Sequence, residues 1–373
     1  MAVLTGETRH PGLFDEAERL FRAENIQVLG STPQGRRYLK LRSLSRREYL
    51  TALLDQSGYS LDERPTGRAL FRYVYESVVQ EADIDKFIDA RYREERKERK
   101  EKEASLVNEL YKMEVFDWGG LHQNSLEKTI VDNYVKKIIT YDALEQAIEG
   151  DLHTSMRGYV LCSWYNHWTS ILIEDLFRDH PSVVPALGQV KKIDFFVKGV
   201  PFDLKVTYLP EGYLADVRRK DGKRPELTVL RKCARDLGIP FDPEMANNRL
   251  LEDLWKKVSD HPAPQCAAII RELREFREGV VAGFRENPSE LIVWLYENQG
   301  IRRFDASNRL FLVLVDTEDY FGSWKLKRAL PRLRDGIHNY LGQLPARPGR
   351  EISFQWEGDP YNALSDVVLV TKP

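Results

Sequence analysis

Apolar and polar residues alternate with a period of two across Gln189 to Tyr208, which reads QVKKIDFFVKGVPFDLKVTY. Ile193, Phe195 and Val197 alternate with Asp194 and Phe196. Phe202, Leu204 and Val206 alternate with Asp203, Lys205 and Thr207. This is the period of a half-buried strand. Lys198-Gly199 reads as a two-residue turn, because glycine tolerates the positive φ that tight hairpins need. Such a turn sets Val197 opposite Val200, Phe196 opposite Pro201 and Phe195 opposite Phe202. Asp194 then lies opposite Asp203, roughly 5 Å apart at Cβ, with Lys205 two residues on and on the same face.

The helical period dominates elsewhere. Leu13 to Ala23 has helical spacing, and Ser45-Arg46-Arg47-Glu48 resembles an N-cap opening a helix through Leu54. Gly67 to Lys112 predicts one or two long helices, in which Arg91 to Glu103 is nearly all charge and reads as a solvated face. A break at Trp118-Gly119-Gly120 places a soft domain boundary near residue 120. A helix is expected from Ser125 to Ile148, with an apolar stripe through Ile130, Val131, Tyr134, Val135, Ile138 and Ile139. Another, Ser155 to Arg178, is apolar over most of its circumference and should be largely buried. After the hairpin, Asp216 to Arg224 reads as a basic loop. Helices follow at Glu226 to Leu237, Asn248 to Val258, Gln265 to Arg285 and Ser289 to Asn298. Arg309 to Asp316 predicts a buried strand, Ser323 to Leu341 a basic helix, and Ile352 to Trp356 and Asp366 to Thr371 short strands. That order suits an α/β core with a mixed sheet.

Composition narrows the reading. The 373 residues are 42% apolar, with 17 Tyr, 16 Phe and 7 Trp, which is ample for a substantial core. The 56 basic and 58 acidic residues leave a net charge of −2, so any nucleic-acid site must rest on a local basic cleft. Cys162, Cys233 and Cys266 are few, odd in number and widely spaced, as expected in a reducing cytoplasm. The opening MAVLTGETRHPG has no apolar signal core, and Leu310 to Val315 is far too short to span a bilayer. Walker A, GxGxxG, GxSxG and HExxH motifs are absent.

The chemistry concentrates in the hairpin. Like charges directly opposite each other destabilise a sheet, and one carboxylate is pushed towards protonation. A divalent cation removes that cost. By the same reasoning, Asp203→Asn should keep or raise the stability of the metal-free protein. Three other acid-X-Lys tripeptides, at Glu95, Glu98 and Asp221, lie in polar runs without strand alternation.

Asp194, with Asp203-Leu204-Lys205, resembles the active-site signature of the PD-(D/E)XK nucleases, the restriction-endonuclease-like superfamily. Ile193 stands where that pattern has its loosely kept proline. The resemblance covers about residues 155–210 by motif and 305–372 by pattern. It implies a restriction-endonuclease-like α/β core, with a mixed central sheet flanked by helices, over residues 121–373. A helical insertion occupies about 210–300, and a mainly helical N-terminal region, 1–120, serves DNA recognition or dimerisation. It further implies Mg²⁺, replaceable by Mn²⁺, held by Asp194, Asp203 and the Leu204 carbonyl, with Glu174 joining from the preceding helix. Lys205 would activate the attacking water. The implied activity is that of a type II restriction endonuclease: a cytoplasmic homodimer cutting double-stranded DNA, with a companion methyltransferase. Arg218, Arg219, Lys220, Lys223 and Arg224, together with Lys325, Lys327 and Arg328, would contact phosphates. The rivals are a repair or phage-defence nuclease of the same superfamily, acting on RNA or single strands, and a catalytically silent nucleic-acid-binding protein.

Overall fold

The computed structural model describes residues 13–59, 65, 67–77, 79–117, 130–190, 192–298, 306–345 and 348–372. The break at Trp118-Gly119-Gly120 and the start of the helix expected from Ser125 lie outside them. Six N-terminal helices come first: α1 (Leu13–Arg22), α2 (Ile26–Ser31), α3 (Pro33–Ser43), α4 (Arg47–Gln56), α5 (Gly67–Glu76) and α6 (Glu81–Tyr111). After a short π-turn at Val131–Val135, α7 (Tyr141–Ala147) runs through a second π-turn into α8 (His153–Arg178). Then come β1 (Val183–Val190), β2 (Ile193–Val197) and β3 (Val200–Tyr208). The helices α9 (Glu211–Lys220), α10 (Glu226–Asp236), α11 (Asn247–Asp260), α12 (Pro264–Glu286) and α13 (Ser289–Glu297) separate β3 from β4 (Arg309–Asp316). A 3₁₀ segment (Tyr320–Arg328), α14 (Leu330–Gln343), β5 (Arg350–Trp356) and β6 (Asp359–Lys372) complete the chain.

The strands form one mixed sheet in the order β1-β2-β3-β4-β6-β5. β1, β2 and β3 are antiparallel neighbours, β4 is parallel to both β3 and β6, and β5 closes the edge antiparallel to β6. The hairpin register is the expected one: Val197 pairs with Val200, Phe196 with Pro201 and Phe195 with Phe202. Lys198 (φ 47°) and Gly199 (φ 82°) both lie in the left-handed region, as a type I′ turn requires. β1 has no counterpart in the hydropathic pattern. Pro185 and Gly188 interrupt its alternation, and its register slips between Pro185 and Val190.

Alternation now acquires a three-dimensional meaning, because both faces of the sheet are covered. On one face Phe195, Phe202, Leu204, Leu310, Leu312 and Val368 pack against Leu172, Leu176 and Phe177 of α8 and Leu333, Ile337 and Leu341 of α14. The other face carries two separate caps. The N-terminal helices cover β1 and β2 through Phe14, Leu39, Phe87, Val190 and Phe196. The helices α12 and α13 cover β4, β6 and β5 through Val281, Leu291, Tyr296, Phe311, Val313 and Phe354. A fourth core, within α10 to α12, stands apart from the sheet. The packing of the first six helices on β1 and β2 crosses the boundary expected near residue 120.

Several sequence expectations change. Arg46, without a side-chain cap, precedes α4; Ser45 is not its N-cap. The apolar stripe of 130–148 is not core: Val135 is 59% exposed and Ile139 is 95% exposed. The first half of α8 is likewise open at Met156, Val160 and Leu161, because nothing among the described residues packs over that face. The charged run of α6 is not wholly solvated. Arg96 is buried and pairs with Asp179 at 3.1 Å, while Arg99 pairs with Asp175 at 2.8 Å, which fastens α6 to α8. No helix among the described residues is long and apolar enough to cross a membrane.

The buried pair of Glu226 (α10) and Arg277 (α12) holds the helical insertion together, with Arg277 donating to both carboxylate oxygens at 2.9 and 2.5 Å. The guanidinium also lies within 4.6–5.3 Å of the Trp255, Tyr320 and Phe321 ring centroids. Glu226→Ala strands that charge and is expected to cost about 3–5 kcal/mol in urea unfolding. Adding Arg277→Met should recover most of the loss. A single variant as stable as wild type would rule out the clamp.

Candidate active site

Asp194 alternates with Phe195 along β2 and therefore shares the face of Phe196. Asp203 and Lys205 share that face on β3, and Arg309 and Phe311 are their Cα partners on β4. Phe196 belongs to the N-terminal cap and Phe311 to the α12–α13 cap. The acids and the lysine thus occupy the strip of sheet between two helical caps. Near that strip α2 approaches so closely that a Cβ on Gly30 would come within 2.8 Å of Pro201 Cγ.

Continuing the hairpin register by one position brings Asp194 and Asp203 together. They are not the exposed carboxylates that simple alternation implies. Asp203 is 7% exposed. Its Oδ1 accepts from Lys205 Nζ at 2.7 Å, and its Oδ2 lies 3.5 Å from Arg309 Nε. The Asp194 Oδ2 accepts from the Leu204 backbone N–H at 2.7 Å, and among the described residues Oδ1 accepts no hydrogen bond. Burial holds the Asp194 carboxyl above its ordinary value of 3.8, against the Leu204 hydrogen bond, and the Asp203 charge adds to the rise. Lys205 is 46% exposed and carries its ammonium at the open side of the strip.

Glu174 is half-buried on α8 and pairs with Arg178 at 2.7 Å. Arg178 also donates to the Asp194 carbonyl at 3.2 Å, so one guanidinium links the helix acid to the acid strand. Burial raises the Glu174 carboxyl; Arg178 opposes this, and the charges of Asp194, Asp175 and Asp203 add to it. Glu174 is therefore electrostatically joined to the pair while its carboxylate is held by Arg178. Among the described residues no group of three or more His, Cys, Asp or Glu side chains is gathered to hold a metal ion. Two carboxylates are nonetheless a sufficient protein donor set for Mg²⁺, which keeps waters and takes oxygens from a phosphate substrate. The disfavoured charge on Asp194 fits such a cation.

Sequence reasoning missed Arg309 and Asn308. Arg309 opens the apolar strand RLFLVLVD and is buried, its guanidinium 5.2 Å from the Tyr296 ring centroid. Asn308 accepts the Asp203 N–H at its carbonyl (3.0 Å), donates to Pro201 O (3.2 Å) and accepts the Leu364 N–H (3.0 Å). It ties β3, β4 and β6 together beside the acids. The only signal for either was its position at the start of a buried strand, and strand pairing was not legible.

The basic residues expected at phosphates divide in two. Arg218 is buried in α9, which is a helix rather than a loop as far as Lys220, and it binds Glu272 and the Arg224 carbonyl. Lys327 is buried against Asn166 at 2.7 Å, and burial lowers its ammonium to about 8. Arg328 is buried and donates to the carbonyls of Leu110 and Met113. Lys327 and Arg328 face inward because the segment at 320–328 is a 3₁₀ turn packed against β4, not the start of a basic surface helix. Arg219, Lys220, Lys223, Arg224 and Lys325 remain at the surface, and four of them have acidic neighbours: Asp216, Glu290, Glu272 and, for Lys325, Asp319.

The chain matches no family model, no curated protein and no solved structure.

The two aspartates should respond oppositely to neutralisation. A raised carboxyl means the folded state holds its proton more tightly than the unfolded chain, so ionisation of Asp194 costs stability above pH 3.8 and nothing below it. Asp194→Asn keeps an acceptor for Leu204 and should be more stable than wild type at about pH 7, the advantage fading towards about pH 3.5. Asp203→Asn instead deprives Lys205 and buried Arg309 of their carboxylate and should cost about 1–3 kcal/mol at neutral pH, contrary to the simple repulsion argument. Urea titrations of both variants at the two pH values check this. Equal effects at both positions would refute the assignment of charge.

Proposed function

We propose that the protein is a Mg²⁺-dependent endonuclease hydrolysing phosphodiester bonds in double-stranded DNA, of the sequence-specific type II restriction kind. One observation carries the reading: Asp194, Asp203 and Lys205 lie together on one face of two adjacent strands, between two helical caps, where Lys205 reaches solvent. The element order supports it. A helix (α8), three antiparallel strands, helices and a strand parallel to the third are compatible with the αβββαβ order expected of a restriction-endonuclease-like core.

In this reading Asp194 Oδ1, Asp203 and the Leu204 carbonyl would hold Mg²⁺, and the Leu204 N–H bond to Asp194 fixes the backbone there. Such a cation would lower the pKa of a bound water and offset charge on the phosphate. Lys205 is oriented by Asp203, and its ammonium donates to the attacking water or to a non-bridging phosphate oxygen. Arg309 holds Asp203 from the buried side, so that one carboxylate is fixed between two cations. Glu174, with its carboxyl raised by burial, accepts a hydrogen bond from water entering beside Asp194. Lys220, Lys223 and Arg224 offer exposed charge to the phosphate backbone. Two copies of the chain would supply one such strip per DNA strand, and a companion methyltransferase would protect the host's sites.

Plasmid cleavage tests this directly. Mg²⁺ should support nicking and linearisation, EDTA should abolish both, and Ca²⁺ should allow binding with little cutting. A ladder of discrete fragments selects restriction over non-specific cutting. Lys205→Ala should fold and bind DNA yet cut on the order of 10²–10⁴ times more slowly. Cleavage at the wild-type rate by that variant, or in EDTA, would end the proposal. Binding should also weaken with salt, and replacing Lys220, Lys223 and Arg224 by Ala should flatten the log–log slope by up to about 0.9 per lost contact.

A further inference from the structure

Two of the three cysteines touch. Cys233 lies on α10 and Cys266 on α12, both in the core of the helical insertion, with their sulfurs 3.6 Å apart. Thirty-three positions separate them in sequence, so folding alone creates the pair. His261, in the connection between α11 and α12, places Nδ1 3.6 Å from the Cys266 sulfur. The Ala263 N–H donates to the same Nδ1 at 3.2 Å, which marks that nitrogen as an acceptor and puts the ring proton on Nε2. Cys266 is the third residue of a 23-residue helix, where unpaired backbone N–H groups favour negative charge. Among the described residues no group of three or more His, Cys, Asp or Glu side chains is gathered to hold a metal ion, these three included.

We propose that Cys233 and Cys266 are a redox pair that a hydroperoxide converts into an intramolecular disulfide joining α10 to α12. His261 Nδ1 exchanges its hydrogen bond from Ala263 for the Cys266 proton, and the sulfur attacks the peroxide. An S–O bond forms and the O–O bond breaks. The leaving hydroxide recovers the proton from His261 as water, and Cys266 becomes a sulfenic acid. The Cys233 sulfur then attacks the Cys266 sulfur. The S–S bond forms, the S–O bond breaks, and the second hydroxide leaves with the Cys233 proton. In sum two thiols are oxidised and one peroxide is reduced to two waters.

Burial sets the character of this pair. Cys266 is 0% and Cys233 5% exposed, and burial pushes the Cys233 thiol up to about 11. The Cys233 sulfur lies only 3.6 Å away, so the sulfenic acid meets it before any thiol or second peroxide from solvent. Cys162 lies in a different core, on the α8–α14 side of the sheet, and has no second cysteine beside it. It serves as an internal control. The inference is independent of the nuclease reading.

The experiment treats the native full-length protein with hydrogen peroxide, then maps unreduced peptides and counts free thiols. The thiol count should fall from three to one, with a single linked peptide joining Cys233 to Cys266, and dithiothreitol should restore all three. Cys233→Ser and Cys266→Ser should each keep both remaining thiols at the same dose. The wild-type mapping stands without the variants if either fails to fold. A native protein that keeps three thiols under a dose that oxidises the urea-unfolded chain would overturn the proposal. So would a bridge to Cys162.

Discussion

The register of one hairpin governs this molecule's chemistry. Phe195, Phe202 and Leu204 must face the α8–α14 layer to be buried, and the Lys198-Gly199 turn allows one pairing that puts them there. A slip of one residue would turn all three towards the opposite caps and drive Asp203 and Lys205 into the apolar layer. The two acids are therefore held together by hydrophobic burial on the face they do not occupy. Their mutual repulsion is small beside the cost of exposing three large apolar side chains.

The second constraint is that the opposite face is covered only in part. The N-terminal helices seat on β1 and β2, the α12–α13 pair on β4, β6 and β5, and the strip between them stays polar. A charge there is partly stripped of water, so each acid needs compensation. Asp203 has it on both sides, from Lys205 and Arg309. Asp194 has a single backbone N–H, and its carboxyl rises accordingly. The asymmetry makes Asp194 the acid that a cation would relieve most.

Arginine is used here chiefly as an internal clamp. Arg37 donates to the carbonyls of Val74, Tyr75 and Val79 at the end of α5; Arg96 and Arg99 tie α6 to α8; Arg277 and Arg328 close helical junctions. The planar guanidinium suits this work because it satisfies several carbonyl or carboxylate oxygens at once. A chain with 31% charged residues and a net charge near zero can spend much of that charge inside. Counting basic residues along the sequence therefore overstated the surface available to an anionic partner, most clearly at Arg218, Lys327 and Arg328.

The sequence by itself determined what local periodicity and turn chemistry control. The hairpin with its turn and register, the strand Arg309–Asp316 and the four helices between residues 226 and 298 all follow from spacing, and the structure has them within two residues. Asp194, Asp203 and Lys205 share a face because the side-chain period of a strand is two. Only the tertiary structure decided how that face is covered. β1 was illegible because Pro185 and Gly188 break its alternation and its pairing partner supplies the order. The stripe at 130–148 has helical spacing yet stays exposed, since spacing makes an apolar face without providing a surface to bury it. Arg309 and Asn308 reached the acids through the parallel pairing of β3 with β4 across more than a hundred residues, and the Cys233–Cys266 contact likewise arose from packing. Long-range pairing leaves no periodic trace in a single chain, and so the partners of each acid were settled by the fold.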